Sequence, residues 1–188
     1  MSLEKIKETL GERFSRDSDF LNSIVIELNL AKSSKMLDIG TGWGFMAITL
    51  ALHGYNVITG EPENAKWADW KSRAQNVNIE NKITFKPFYA ENLPFEDHSF
   101  DAIFLYTSLH HIQNKRQALR EILRVMKHDG YMIIIELTET GVKLIRQRHI
   151  NHPDAVNPKE FTKEFDLEVH IKESKYLNAY IYRYEDNN

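Results

Sequence analysis

Asp38-Ile39-Gly40-Thr41-Gly42-Trp43-Gly44 decides how the rest of this chain is read. The run before it, Met36-Leu37-Asp38-Ile39, is short and apolar and has the look of a buried strand. The residues after it, Phe45 to His53, have a helical pattern that Gly54 closes at a plausible C′ position. Glycine admits positive φ and lets a ligand reach the backbone without meeting a Cβ. Three glycines on alternate positions between a strand and a helix therefore predict a ligand-binding turn, in a chain with only 8 glycines in all.

Working outward, the same alternation repeats. Strands are expected at Asn56–Glu61, Ile83–Phe88, Asp101–Tyr106 and Tyr131–Glu136. Pro62 suits the first turn of a helix whose shared face holds Trp67, Trp70, Ala74 and Val77. Asn114 can cap a helix carrying Ala118, Leu119, Ile122, Leu123 and Met126, expected to stop near Asp129-Gly130. Ahead of the glycine turn, Leu3, Ile6, Leu10 and Phe14 predict one short amphipathic helix. A second is expected after the Asp17-Ser18-Asp19 cap cluster. At the other end, Asn157-Pro158 opens a short helix, and the segments 167–174 and 179–184 alternate closely enough to pair as an antiparallel hairpin. Buried strands alternating with helices give parallel βαβ units. The expected fold class is α/β, an open doubly wound sheet finished by an antiparallel edge.

Composition narrows the field. The chain has 188 residues, 42% hydrophobic and 27% charged, within the range of one domain with a real core. The absence of cysteine excludes a disulfide framework, a thiolate zinc site and thiol catalysis. A net charge of -3 argues against nucleic-acid binding through overall basicity. No apolar run is long enough to span a membrane, and the first residues are charge-rich, so a cytoplasmic protein without membrane contact is expected.

The glycine spacing also discriminates between ligands. A dinucleotide turn wants Gly-x-Gly-x-x-Gly, and Phe45 stands where its third glycine belongs. No Gly-Lys-Ser/Thr follows, so a P-loop fails as well. Asp38 suits an ammonium better than a pyrophosphate, and Glu61, about twenty residues on, lies at the distance where a carboxylate holds ribose hydroxyls. The turn suits a phosphate-free nucleoside with a cationic tail.

These residues resemble the class I S-adenosylmethionine-dependent methyltransferases, whose Asp-x-Gly-x-Gly-x-Gly motif is matched without a gap. The resemblance runs over roughly residues 30–140 and is closest to the type 11 small-molecule group. Tyr89-Ala90-Glu91-Asn92-Leu93-Pro94-Phe95 is similar to the adenine-flanking segment, with Tyr89 where Asp is common. Phe100 through Ile112 is similar to the fourth strand, and Arg124-Val125-Met126-Lys127-His128-Asp129-Gly130 to the turn before the fifth. The resemblance implies a three-layer, Rossmann-like, mostly parallel seven-stranded sheet with a C-terminal antiparallel hairpin. It implies a single domain: an N-terminal helical lid (1–30), a cofactor-binding core (31–137) and an acceptor-side segment with the hairpin (138–188). It also implies S-adenosylmethionine as cofactor and S-adenosylhomocysteine as product.

Carried over by position, Asp38 would engage the cofactor's amino group, and Gly40, Thr41, Gly42 and Gly44 would form the turn around the methionine part. Glu61 would hold the ribose, Ala90 and Glu91 would border adenine, and Tyr106 would lie near the methyl group. Trp43 and Phe14 are expected as walls. His110, His111 and Glu136, beyond the ends of the fourth and fifth strands, are candidates for a catalytic base. The bland alternative is that the histidines pack or cap a loop. His149 and His152 could reach one metal, but with no clear third ligand the expectation is surface histidines and no metal.

Residues 141–159 carry Lys143, Arg146, Arg148 and Lys159 against Asp154, either to meet an anionic acceptor or as a solvated helix face. Tyr180, Tyr182 and Tyr184 share one sheet face, fit for a homodimer contact or for cover by a helix. The expected function is methyl transfer to a small-molecule acceptor by a monomer or homodimer. A non-catalytic S-adenosylmethionine-binding subunit or sensor, and an RNA or protein methyltransferase, remain the alternatives.

Overall fold

A computed structural model of the chain describes residues 1–65 and 69–185, so Trp67 lies outside the described residues. The chain divides into two compact units, Met1–Pro87 and a second beginning at Phe88.

The first unit starts with α1 (Leu3–Leu10) and α2 (Glu12–Leu28). The break between them falls at Gly11, not at Asp17-Ser18-Asp19. Gly11 has φ 88 and ψ 177, a conformation that a side-chain-bearing residue rarely adopts. Asp17 and Ser18 lie buried inside α2, where Arg16 donates to the Asp17 carboxylate and the Ser18 hydroxyl bonds back to the Ser15 carbonyl. Their capping potential is thus consumed within the helix. Phe14 belongs to α2, is 1% exposed and packs edge-on against Phe45.

The strand β1 (Met36–Ile39) is buried at every position. α3 (Phe45–Leu52) is apolar almost all round and buried except at its last residue, as a helix enclosed by other elements must be. β2 (Val57–Gly60) pairs in parallel with β1 on one side and with β3 (Ile83–Phe85) on the other. α4 (Trp70–Asn76) starts later than Pro62 suggested. Asp69 accepts from the Ser72 N–H and is its cap, while Pro62 sits in a turn closed by the Ala65 N–H.

In the second unit β4 (Phe100–Tyr106) pairs in parallel with β5 (Met126–Leu137). α5 (Lys115–Val125), capped by the Asn114 side chain as expected, ends before Met126 rather than near Gly130. Residues 126–130 are strand instead. The Ser99 N–H donates to Val125 and the Lys127 ammonium lies 2.7 Å from Asp101, which holds this stretch beside β4 across a register shift. α6 (Glu139–Arg146) and α7 (Lys159–Thr162) follow. The hairpin of β6 (Leu167–Glu173) and β7 (Leu177–Tyr184) joins β5 antiparallel through β7. The strand order is β3-β2-β1-β4-β5-β7-β6, a seven-stranded mixed sheet with the expected antiparallel edge.

Helices meet two of the three alternating tyrosines. The Tyr182 hydroxyl lies 3.3 Å from Thr162 of α7, and the Tyr184 hydroxyl donates to Leu123 of α5. Among the described residues no helix is long and apolar enough to cross a membrane.

Candidate active site

The glycine turn has the conformation its sequence required. Gly40, Gly42 and Gly44 all have positive φ, at 90°, 48° and 78°. At Gly44 the need is doubled, because an added Cβ would lie 2.8 Å from the Trp70 Cβ. The Gly44 N–H closes the turn onto the Thr41 carbonyl at 2.7 Å, and its own carbonyl accepts the first bond of α3.

Asp38 lies under this turn, 1% exposed. The Thr59 hydroxyl donates to its Oδ2 at 2.8 Å, and Thr41 Oγ1 stands 2.8 Å from Thr59 Oγ1. With the Thr59 hydrogen committed to Asp38, Thr41 must be the donor in the second bond. The other carboxylate oxygen, Oδ1, is buried with no hydrogen-bond partner. Burial pushes the Asp38 carboxyl up to about 7, opposed by the Thr59 bond and reinforced by the Glu61 charge. Such an acceptor lacks a donor, preferably a cationic one.

Glu61 follows the end of β2, and its Oε2 accepts from the Gly42 N–H at 3.1 Å. Burial raises its pKa while that bond lowers it. The bond ties the acid at the second strand end to the turn after the first. Trp43 is 38% exposed, with the Arg73 guanidinium 4.2 Å above its ring and Arg13 at 6.0 Å.

In the second unit Ala90 is buried within a tight turn bridged by Tyr89 and Asn92. Glu91 accepts from the Asn114 N–H at 3.1 Å and lines an open groove of about 860 Å³ with Lys115, Arg116, Val156 and Phe161. Sequence reading missed what fixes this segment. Arg124 donates to the Leu93 and Phe95 carbonyls and pairs with Asp97 and Glu121, and Glu121 accepts from the Leu93 N–H. The Glu121/Arg124 spacing on α5 was visible, but nothing local tells that their partners lie about thirty residues upstream.

Tyr106, 9% exposed, ends β4. The next residue, Thr107, has φ 49, an uncommon conformation for a β-branched side chain, while its N–H still bonds the Ile135 carbonyl at 2.7 Å. Beyond this kink a 3-10 turn, Leu109–His111, brings His110 onto Glu136. His110 Nδ1 lies 2.7 Å from Glu136 Oε2, and the His110 N–H donates to Oε1 at 3.2 Å. Both side chains are buried, and His110 Nε2 has no hydrogen-bond partner. The His111 pKa falls to about 4, chiefly because the protein around its ring desolvates it although the residue keeps an exposed edge, and then through its neighbours His110, His152 and Lys115, so its ring is neutral at pH 7.

The pairing of His149 with His152 is not what the structure forms. His149 is exposed, and His152 instead meets His110 and His111, with ring centroids 5.0 and 5.5 Å away. In the basic stretch, Arg146 pairs with Asp154 at 3.0 Å and donates to the His152 carbonyl, so it is committed to its own segment.

A mostly parallel sheet with a glycine turn after its first strand and an acid after its second defines a Rossmann-like α/β protein. Comparison with known proteins makes this specific. The methyltransferase-domain family of type 11 matches residues 37–134, and the chain belongs to that family, among the class I S-adenosylmethionine-dependent methyltransferases. An uncharacterized methyltransferase of Bacillus subtilis, YcgJ, is 30% identical over 66% of this chain and 49% of its own length. A demethylmenaquinone methyltransferase of Porphyromonas gingivalis is 35% identical over 55% of this chain and 43% of its own. The chain thus spans about half the length of these curated relatives. Among solved structures, a SAM-dependent methyltransferase from Aquifex aeolicus has a TM-score of 0.67 at 19% identity, covering 97% of this chain and 98% of that one. At that identity the likeness concerns the fold.

Proposed function

We propose that this protein transfers a methyl group from S-adenosylmethionine to a small-molecule acceptor. The observation that carries the proposal is Asp38 Oδ1, a buried acceptor without a donor beneath a turn of three alternating glycines. The α-ammonium of the cofactor's methionine part is the donor of matching charge. Glu61, at the end of the neighbouring strand, supplies a carboxylate for the ribose diol. Thr59 and Thr41 hold Asp38 in a fixed orientation, so little reorganisation accompanies loading. On the resemblance, Ala90 and Glu91 border adenine and Tyr106 stands near the methyl group.

The sulfonium methyl is already activated when bound. The protein's share is then to hold the acceptor in line, an effect worth up to ~7–11 kcal/mol. A small acceptor is supported by relatives named for demethylmenaquinone in P. gingivalis and for 27-O-demethylrifamycin SV in Amycolatopsis mediterranei. A single-domain organisation, a cytoplasmic location and a monomer or homodimer form part of the same proposal.

Titration calorimetry with S-adenosylmethionine and with NAD tests the cofactor. Binding of the former alone is expected. Glu61→Ala should weaken it by about tenfold or more, through loss of a charged hydrogen-bonding group. Gly42→Val should weaken it further, because a β-branched residue at φ 48° strains the turn. Wild-type affinity in both variants would refute the placement. Acceptor-dependent release of S-adenosylhomocysteine, against a panel of quinols, phenols and amines, separates an enzyme from a binding subunit.

A further inference from the structure

The second unit gathers three imidazoles from two segments about forty residues apart. His110 and His111 come from the 3-10 turn after β4, and His152 from the segment after α6. Each offers one ligand atom, and these atoms all lie within 4.8 Å of one another. We propose that His110, His111 and His152 bind one divalent transition-metal ion of the zinc class, with Glu136 as the residue that positions His110. The proposal stands apart from the methyl-transfer reading and concerns residues of one unit only.

Three features make this cluster more than packed rings. The first is His110. Its Nδ1 is engaged by Glu136 Oε2 at 2.7 Å, while its Nε2 is buried without a partner, on a side chain 0% exposed. A metal-ligating histidine characteristically gives its other ring N–H to a carboxylate, which fixes the tautomer and makes the free nitrogen more basic. Glu136 also accepts from the His110 N–H, so backbone and ring are oriented together. A fixed imidazole with its lone pair held away from water is costly unless something takes that lone pair.

The second feature is His152. Its Nδ1 donates to the Pro153 carbonyl at 2.8 Å, which orients the ring in the way an outer partner orients a ligating histidine. The third is Arg146, whose Nε donates to the His152 carbonyl at 2.8 Å and whose guanidinium pairs with Asp154 on the other side. This cation ties the segment carrying His152 back to α6.

The donor set identifies the kind of ion. Three imidazole ligands without thiolate or direct carboxylate suit zinc, nickel, copper or ferrous iron and disfavour magnesium and calcium. Three protein ligands leave a fourth position for water or an anionic oxygen, the arrangement of an open zinc site. Bonds of about 2.0–2.1 Å in a tetrahedron place ligand nitrogens about 3.3 Å apart. Closing from 4.8 Å takes small rotations of the rings on the exposed His111 and half-buried His152 side.

The test uses untagged full-length protein, stripped with chelator and titrated with Zn²⁺ by calorimetry and with Co²⁺ by visible absorption. One equivalent per chain is expected, with the strong visible bands of low-coordinate cobalt. His152→Ala and His111→Ala should each lower affinity by about tenfold or more, and Glu136→Gln by about 10–100-fold. Circular dichroism in chelator should show each variant folded. His149→Ala, which alters an exposed histidine outside the cluster, should leave binding unchanged. Full affinity in His152→Ala, loss in His149→Ala, or no binding by the folded wild type would overturn the proposal. Binding of S-adenosylmethionine to the stripped protein is read separately and is unaffected by any of these results.

Discussion

Asp38→Asn should lose cofactor affinity by about thirtyfold or more and yet melt higher than wild type at pH 8. The first effect follows from removing the charged partner of an ammonium in a buried site, worth about 2–5 kcal/mol. The second follows from the burial of Asp38, whose carboxyl titrates at about 7 in the folded chain against 3.8 ordinarily. A raised carboxyl binds its proton more tightly in the folded state, so stability declines as pH rises from about 4 through 7. Above 7 the whole cost is borne by the unliganded protein.

A shift of that size corresponds to about 4 kcal/mol at ~1.4 kcal/mol per pKa unit. The Asn variant escapes it but leaves part of its own amide without a partner, at about 1–3 kcal/mol. The net gain of about 1–3 kcal/mol should raise the melting temperature at pH 8 by roughly 2–12 °C. Near pH 4 the gain should disappear, since wild-type Asp38 is then neutral. Thermal melts across pH 4–8, beside calorimetry with S-adenosylmethionine, test both halves. An Asn variant that is less stable at pH 8, or that binds normally, would contradict the role given to Asp38.

Gly141→Ala is expected to be strongly destabilising, although glycine to alanine within a helix ordinarily stabilises by about 0.5–1 kcal/mol. Gly141 lies in α6, where an added Cβ would stand 2.3 Å from the Tyr176 carbonyl oxygen and 3.1 Å from Leu137 Cδ2. That carbonyl already accepts from the Thr138 N–H at 3.0 Å, and the Thr138 hydroxyl donates to Lys175 while accepting from the Gly141 N–H. The methyl group has to push the β6–β7 turn off the start of α6 and break these bonds. Overpacking of about 1–3 kcal/mol together with a lost backbone bond sums to about 3 kcal/mol, or roughly 6–12 °C in melting temperature. Lys143→Ala, on the exposed side of the same helix, should change stability by no more than about 0.5 kcal/mol. Equal melting of Gly141→Ala and wild type would show that the turn can yield.

What the sequence made legible was set by local chemistry. Three alternate glycines between an apolar run and a helix could be read directly, because positive φ is a demand on single residues. The Asn114 cap could be read because its bond to the Gln117 N–H is made within one turn, and the position of Glu61 because it directly follows an apolar strand. Gly11 escaped notice because Asp17-Ser18-Asp19 offered a stronger capping signal, which burial inside α2 diverted to Arg16 and Ser15. The early start of β5 depended on pairing with β4, which residues 126–130 do not reveal by themselves. The histidine cluster was half visible. His110 and His111 stood at a strand end, but only folding carries His152 to them, and the i, i+3 spacing with His149 pointed elsewhere. Arg146 stayed open between a cation for an anionic acceptor and a solvated face because its partners, Asp154 and the His152 carbonyl, come from a turn with no local signature.

The burial of Asp38 beneath the glycine turn, only partly offset by its bond from Thr59, would give cofactor loading a chemical by-product. Near neutrality Asp38 is a mixture of carboxylic acid and carboxylate, and an incoming ammonium would select the anion. Each loading event would then expel a fraction of a hydrogen ion to the buffer, so that occupancy would be coupled to acidity.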